Sequence, residues 1–418
     1  MRRARTLLIV GGTMSQKLGN ILLLPLVVAT MSASEFTRFG LFTSVVAVAV
    51  PALTANLHMA IGRMYFDQPD DRSKGTAFLT NLVAGVAGLL SGGLLLILGA
   101  MLSGIEDPLT AGSLRLQLEI LVCGLLLVLS QSGSIFARVR DRANLFALSS
   151  MCAGFGLLAG YLLFQPFISD KVEVLIYGYI FAQVIAWLAT WPVYRYALAH
   201  GSLNFSHIRP AFAYASGTTI YVVSVWVVAQ AGRWVGGVAL PDSLAAGYTL
   251  VSYGMVVLGV LVNAYSESQR IPFMEAFSAG RLTAGLKIIR RVSFRNMILV
   301  VIAFVIALGA LMMKEYILPG DYHLEIIWMI PAFIYCVSAV MFNRSFWIFG
   351  GLKETWWLAA ITMSAAASYI VLVSFWISWG VPGLLWSSAV TMLVQSIVLT
   401  VVAELRVRRR RSLLEQGE

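Results

Sequence analysis

A lysine stands in the middle of the chain's first apolar stretch. Lys17 lies about ten residues into that stretch, or about 15 Å along a helix rising 1.5 Å per residue. From that depth its stem does not easily carry the ammonium to water, and a charge in hydrocarbon costs a few kcal/mol or more unless it meets a cavity or a partner. Thr13, Gln16, Lys17 and Asn20 recur at three- and four-residue spacing and so share one helical face. That face is expected to line water, where a fixed cation can hold an anion. The plainer alternative is a lysine paired with a carbonyl or carboxylate for packing alone. Pro25, further along, is a place for this helix to bend.

Other basic residues extend the pattern. Arg63 and Arg270 follow apolar stretches, and each has an asparagine seven residues earlier, Asn56 and Asn263, expected on the same helical face. Cytoplasmic topology alone also explains arginine at these places. Arg233 breaks the topology rule, because it falls at the external end of its stretch, where an outer-gate role and a lipid-headgroup contact are both open. The acids are displaced from the membrane centre: Glu119 is about a turn from one span end and Glu267 is near another. An electropositive interior favours an anionic cargo and disfavours cation carriage, which needs a carboxylate in the membrane. Gln183, Asn81 and Asn343 are read either as sugar-binding groups or as glue between helices. His58, His200, His207 and His323 are scattered, and Cys123, Cys152 and Cys336 sit singly, so neither a metal site, nor a cofactor, nor a disulfide is expected.

The elements that position these groups follow from composition. In 418 residues, 59% are hydrophobic and only 12% charged, too little polar surface to cover a soluble globule of that size. A bilayer-crossing helix needs about 20 apolar residues. Twelve such spans are expected, near 7–30, 36–60, 76–102, 115–136, 143–167, 173–198, 211–235, 244–267, 292–313, 324–349, 355–378 and 381–404. Basic residues gather in alternate connections, including Arg138, Arg140 and Arg142 after the fourth span and Arg408 to Arg411 in the tail, which places both termini in the cytoplasm. The net charge of +10 is thereby read as a topology signal with attraction to anionic headgroups. The loops are too short for a nucleic-acid surface. The first stretch lacks a signal-peptide cleavage context and is expected to stay as a span.

A shift of 207 residues aligns Glu35 with Asp242, Asn56 with Asn263, Arg63 with Arg270 and Lys74 with Arg281. Six spans per half make this a parallel repeat. The expected layout is an all-α membrane protein with a six-helix lobe over 1–199, a cytoplasmic linker over 200–210, a second six-helix lobe over 211–405 and a basic tail over 406–418. Gly88/Gly92, Gly156/Gly160 and Gly232/Gly236, each four apart, are read as close helix contacts.

The stretches Glu35-Phe-Thr-Arg-Phe-Gly-Leu-Phe and His58-Met-Ala-Ile-Gly-Arg-Met-Tyr-Phe resemble polysaccharide flippases of the multidrug/oligosaccharidyl-lipid/polysaccharide (MOP) exporter superfamily. Gly232-Arg-Trp-Val-Gly with Ala246-Gly-Tyr-Thr, Leu318-Pro-Gly-Asp-Tyr, Gly350-Gly-Leu-Lys-Glu-Thr and Trp379-Gly-Val-Pro-Gly-Leu-Leu-Trp extend the likeness over almost the whole chain. Gly232 departs from the pattern, which commonly has Asp before the arginine. The resemblance implies a MATE-like, two-lobed, non-enzymatic transporter of the bacterial inner membrane that moves a polyprenyl-diphosphate-linked oligosaccharide by alternating access. On this reading Lys17, Arg63, Arg270 and Arg233 meet the diphosphate, and Gln16, Asn20, Asn56 and Asn263 line the cavity. Partners would be the glycan lipid, membrane lipids and polysaccharide polymerase or assembly proteins. The alternatives are a MATE-type drug or metabolite antiporter, which would want a mid-membrane carboxylate, and a membrane polymerase or ligase, for which the external loops are short.

Overall fold

The computed structural model describes residues 2–65, 68–103, 113–313, 322–352 and 354–415. Within them the side chains of 2–6, 10, 17, 20, 59, 63, 214, 260–265, 267–268, 270–271, 274–275, 278, 355 and 413–415 lie outside the description. The described chain is almost wholly helical, as a backbone in hydrocarbon must be to satisfy its own hydrogen bonds.

Among the described residues fourteen α-helices run in the order α1 (Arg2–Thr30), α2 (Ala33–Leu53), α3 (Leu57–Met64), α4 (Asp71–Ser103), α5 (Leu114–Val139), α6 (Ala143–Phe164), α7 (Lys171–Ala189) and α8 (Trp191–His200), followed by α9 (Ile208–Ala239), α10 (Asp242–Ser278), α11 (Leu282–Met312), α12 (Met329–Leu352), α13 (Thr355–Trp376) and α14 (Val381–Glu415). Eleven helical segments among the described residues are long and apolar enough to cross a membrane. α10 occupies the remaining expected span, the eighth.

Local chemistry sets many of the ends. Ser32 and Glu35 form a reciprocal capping box at α2, and Ser113 and Asp170 cap α5 and α7. At the start of α4 the Ser73 N–H donates to Asp70 at 2.8 Å, which holds that exposed carboxyl below its ordinary range. Pro192, in the first turn of α8, marks the restart after α7, since its ring suits the opening of a helix but not its interior.

Two expectations need correcting. The second span is not one helix from 36 to 60: it stops at Leu53 and restarts at Leu57. Asn56 N–H donates to Pro51 O at 2.9 Å and Ala55 N–H to Ala52 O at 3.3 Å, the paired bonds of a helix C-cap, with Ala55 and Asn56 at φ +46° and +55°. Asn56 therefore precedes α3 in a left-handed conformation and is not on a helical face with Arg63. The aligned positions of the second half, 261–263, are continuous helix within α10, so the repeat of sequence is not a repeat of the break.

The chain divides into two compact units, Met1–Val223 and Ser224–Glu418, with the division inside α9. In the first, α6 packs between α1 and α7 through glycines. A Cβ on Gly160 would lie 2.7 Å from the Gly178 Cα, and one on Gly156 3.0 Å from the Ala182 Cα. The segment after α8 is tied to α4, where Thr76 and Thr80 accept the backbone N–H groups of Ser202 and Asn204. In the second unit Val228, Tyr248, Met255, Val300, Trp328, Val340, Tyr369 and Leu384 form a core shared by its described helices. Leucines 94–96 of α4 and Val305 with Ile306 of α11 are exposed, as lipid-facing residues can be.

Candidate functional site

Lys17 belongs to the long, continuous α1, between two close contacts with α6. A Cβ on Gly12 would lie 2.7 Å from the Ala147 Cα, and one on Gly19 2.2 Å from the Gly154 carbonyl carbon. Gly154 itself faces the backbone of Ser15 and Gln16, where an added Cβ would lie 2.4 Å from the Ser15 oxygen. These contacts fix the turn that carries Lys17 near mid-span. Gln16 is partly buried at the edge of this seam, while Thr13 donates its hydroxyl to Ile9 O at 2.9 Å and satisfies itself within the helix. The side chains of Lys17 and Asn20 lie outside the described residues.

At the break in the second span, buried Asn56 donates from Nδ2 to Thr218 Oγ1 at 3.3 Å, which joins the break to α9 within the first unit. Arg63 follows on α3 with its side chain outside the described residues. Asn263 and Arg270 lie on α10 and their side chains are likewise outside the description. Between them Ser266 gathers two amides: Asn296 Nδ2 at 3.0 Å and Asn343 Nδ2 at 3.2 Å. Asn343 thus links α12 to α10. Gln183 does the same between α7 and α5, accepting from Ser130 at 2.6 Å, and Asn81 bonds back to Ala77 O at 2.9 Å. These three amides serve helix packing.

Arg233 is the site cation whose surroundings are described. Its residue is only 3% exposed. Nε donates to the Ser252 hydroxyl at 3.0 Å, and the guanidinium carbon lies 4.2 Å from the Tyr253 ring centre. A neutral acceptor and an aromatic face both stabilise a cation taken out of water. Tyr248 lies one helical turn before Ser252 on α10, and its hydroxyl converges with that of Tyr369 on Gly232. A Cβ at Gly232 would meet them at 2.1 and 2.8 Å. The space that an aspartate would need at this position is taken by two phenols. Sequence reading missed Tyr248, Ser252, Tyr253 and Tyr369. The signal available was Tyr248 and Ser252 at a four-residue interval in an apolar helix, but which helix they faced was not legible.

Three acids of the first unit are engaged by arginines near helix starts. Arg115 binds Glu119 at 3.0 Å and Glu173 at 3.2 Å, with Tyr177 Oη 2.9 Å away, and Arg38 lies 3.4 Å from Asp170. No cluster of histidine, cysteine, aspartate or glutamate suited to a metal ion occurs among the described residues.

No family model matches the chain, and no curated protein matches it in sequence. Solved structures match over nearly its full length. An inward-facing multidrug resistance MATE family transporter of the MOP superfamily superposes with a TM-score of 0.66 at 12% identity, covering 97% of this chain and 96% of that one. An outward-facing structure of such a transporter gives 0.66 at 11%, covering 98% and 97%. A variant of the Vibrio cholerae MATE transporter VcmN gives 0.63 at 13%, covering 97% and 96%. The chain has the MATE fold, as the all-α, twelve-span expectation required.

Proposed function

We propose that this protein is a flippase that carries a polyprenyl-diphosphate-linked oligosaccharide repeat unit from the cytoplasmic to the outer leaflet of a bacterial inner membrane by alternating access. The observation that carries the reading is Lys17, held near the middle of an uninterrupted apolar helix in a chain of MATE fold. It stands ten residues from Leu7 and thirteen from Thr30, at about 15 and 20 Å along the axis. A diphosphate supplies the counter-charge such a position needs, and the sugars require the hydrated space that an ammonium also requires. Arg63 and Arg270 would meet the phosphates at the cytoplasmic entrance, with Gln16, Asn20, Asn56 and Asn263 along the path. Arg233 would act from the buried cluster of the second unit. Both termini lie in the cytoplasm in this arrangement.

The fold suits a drug or metabolite antiporter as well. The engagement of Glu119, Glu173 and Asp170 with arginines weighs against it, because a cationic drug needs a carboxylate that is available within the membrane. Loss of the protein is expected to trap lipid-linked glycan on the cytoplasmic side. Lys17→Ala is expected to abolish surface polysaccharide at normal membrane abundance, and Lys17→Arg to keep part of it. Full export by the alanine variant removes Lys17 from the mechanism. Unchanged glycan lipid in the deletion strain, with altered resistance to cationic drugs, establishes the antiporter instead.

A further inference from the structure

The corner between α5 and α6 and the start of α8 enclose a cleft of about 370 Å³ that the transport reading does not use. Its lining includes Arg140, Arg142, Asn144, Pro192 and Tyr196. The corner has a definite geometry. Arg142 N–H donates to Ala137 O at 2.9 Å and Asp141 N–H to Arg138 O at 3.3 Å, with Asp141 at φ +64° between the two arginines. The Arg140 guanidinium carbon sits 3.2 Å from the Tyr196 ring centre, which restrains it, and Arg142 is exposed. Among the described residues no carboxylate comes within ion-pair distance of either guanidinium. Asp141 is exposed at the corner, and Asp71, beside Tyr196, lies 3.9 Å from Lys74.

The surroundings are those of a membrane boundary. Asn144 begins a stripe on α6 that continues through Leu148, Met151 and Phe155, respectively 48%, 45% and 38% exposed. These positions follow at intervals of four, three and four residues, so they form one apolar track leading away from the cleft along the helix. On the other side Trp187, Trp191 and Tyr194 form an aromatic cluster, its two tryptophans edge-to-face at 5.8 Å, with Trp191 41% exposed. Tryptophan and tyrosine concentrate at headgroup level, with basic residues at the cytoplasmic side.

We propose that this cleft binds the phosphate headgroup of an anionic membrane lipid from the cytoplasmic leaflet. Arg140 and Arg142 pair with the phosphate, Asn144 donates to it, and an acyl chain lies along Leu148, Met151 and Phe155. A guanidinium pair offers forked donors that match phosphate oxygens, and the apolar track distinguishes a lipid from a free anion. The site lies within the first unit and does not depend on which cargo the protein moves.

The test uses the purified full-length protein in detergent, titrated with phosphatidylglycerol, phosphatidylcholine or inorganic phosphate, with bound lipid counted by native mass spectrometry. Phosphatidylglycerol is expected to bind the wild type in preference to phosphatidylcholine, and inorganic phosphate at equal concentration not to displace it. Arg140→Gln with Arg142→Gln is expected to weaken phosphatidylglycerol binding about 30-fold, the order set by two basic groups at a charged membrane surface. A control pair with the same charge loss, Arg409→Gln with Arg410→Gln in the exposed end of α14, is expected to change it by less than about threefold. Asn144→Asp, an exposed substitution that need not disturb folding, sets a carboxylate against the phosphate and is expected to weaken binding roughly tenfold. Equal losses in the two arginine pairs, no loss in Asn144→Asp, or equal binding of phosphatidylcholine each overturn the proposal. Displacement by inorganic phosphate overturns the lipid assignment.

Discussion

The seam between α1 and α6 gives the sharpest test of how this protein holds its central lysine. Gly154→Ala adds a single methyl group, which would lie 2.4 Å from the Ser15 oxygen and 2.5 Å from the Gln16 Cα. Both are backbone atoms and have no rotamer to escape into. Restoring an ordinary contact of about 3.4 Å requires the two helices to part by about 1 Å, and a gap of that size forfeits a quarter to a half of each dispersion contact nearby. Overpacking of this kind costs about 1–3 kcal/mol. At about 2–4 °C per kcal/mol for a unit of this size, the apparent unfolding midpoint in detergent is expected to fall by at least about 2 °C. Gly99→Ala in α4 is the control, since its added methyl meets nothing within 4 Å and alanine is the better helix former by about 1 kcal/mol. Its midpoint is expected to hold or rise. Transport is expected to suffer with Gly154→Ala, because the turn bearing Lys17 moves with the seam, and to be normal in Gly99→Ala. Equal midpoints for the two variants would refute the idea that backbone contact positions Lys17.

Two further predictions come from other parts of the fold. Ala55 holds a left-handed conformation that costs an L-residue with a Cβ about 1–2 kcal/mol, so Ala55→Gly is expected to leave the midpoint unchanged or raise it. Ala52→Gly, three residues earlier in α2, is expected to lower stability by about 1 kcal/mol, and equal destabilisation by both would disprove the strain at the break. In the second unit, Ser252→Ala removes an acceptor from a guanidinium that stays buried and is expected to cost about 1.5–3 kcal/mol. Arg233→Met removes the buried charge together with its need for partners and is expected to cost less in the same melting assay, so the reverse order would refute the account of that cluster.

Charged groups are held in different ways in the two units. In the first unit Glu119 and Glu173 are engaged by Arg115 near helix starts, whereas in the second Arg233 is kept by hydroxyl and ring. Tyr248 and Tyr369 fill the space beside Gly232, so neutral dipoles surround this part of the second unit.

Sequence alone determined the class, the twelve spans and the presence of a lysine near mid-membrane. Lipid allows few solutions for a backbone, and apolar length reports directly on them. The four-residue glycine spacings likewise announced close contacts, which Gly156 and Gly160 make with Ala182 and Gly178. Tertiary structure decided the rest. The stop at Ala55 and Asn56 required a particular backbone turn that an apolar run does not encode, and so Asn56 left the face it was expected to share with Arg63. For Arg233 an outer-gate role and a headgroup contact were both open, because hydropathy has no term for the neighbours on α10 that surround it. Arg140 and Arg142 looked like topology signals, and only the approach of α8, bringing Tyr196 from more than fifty residues away, turned them into the wall of a cleft. Periodicity reports which residues share a face; packing alone reports what that face meets.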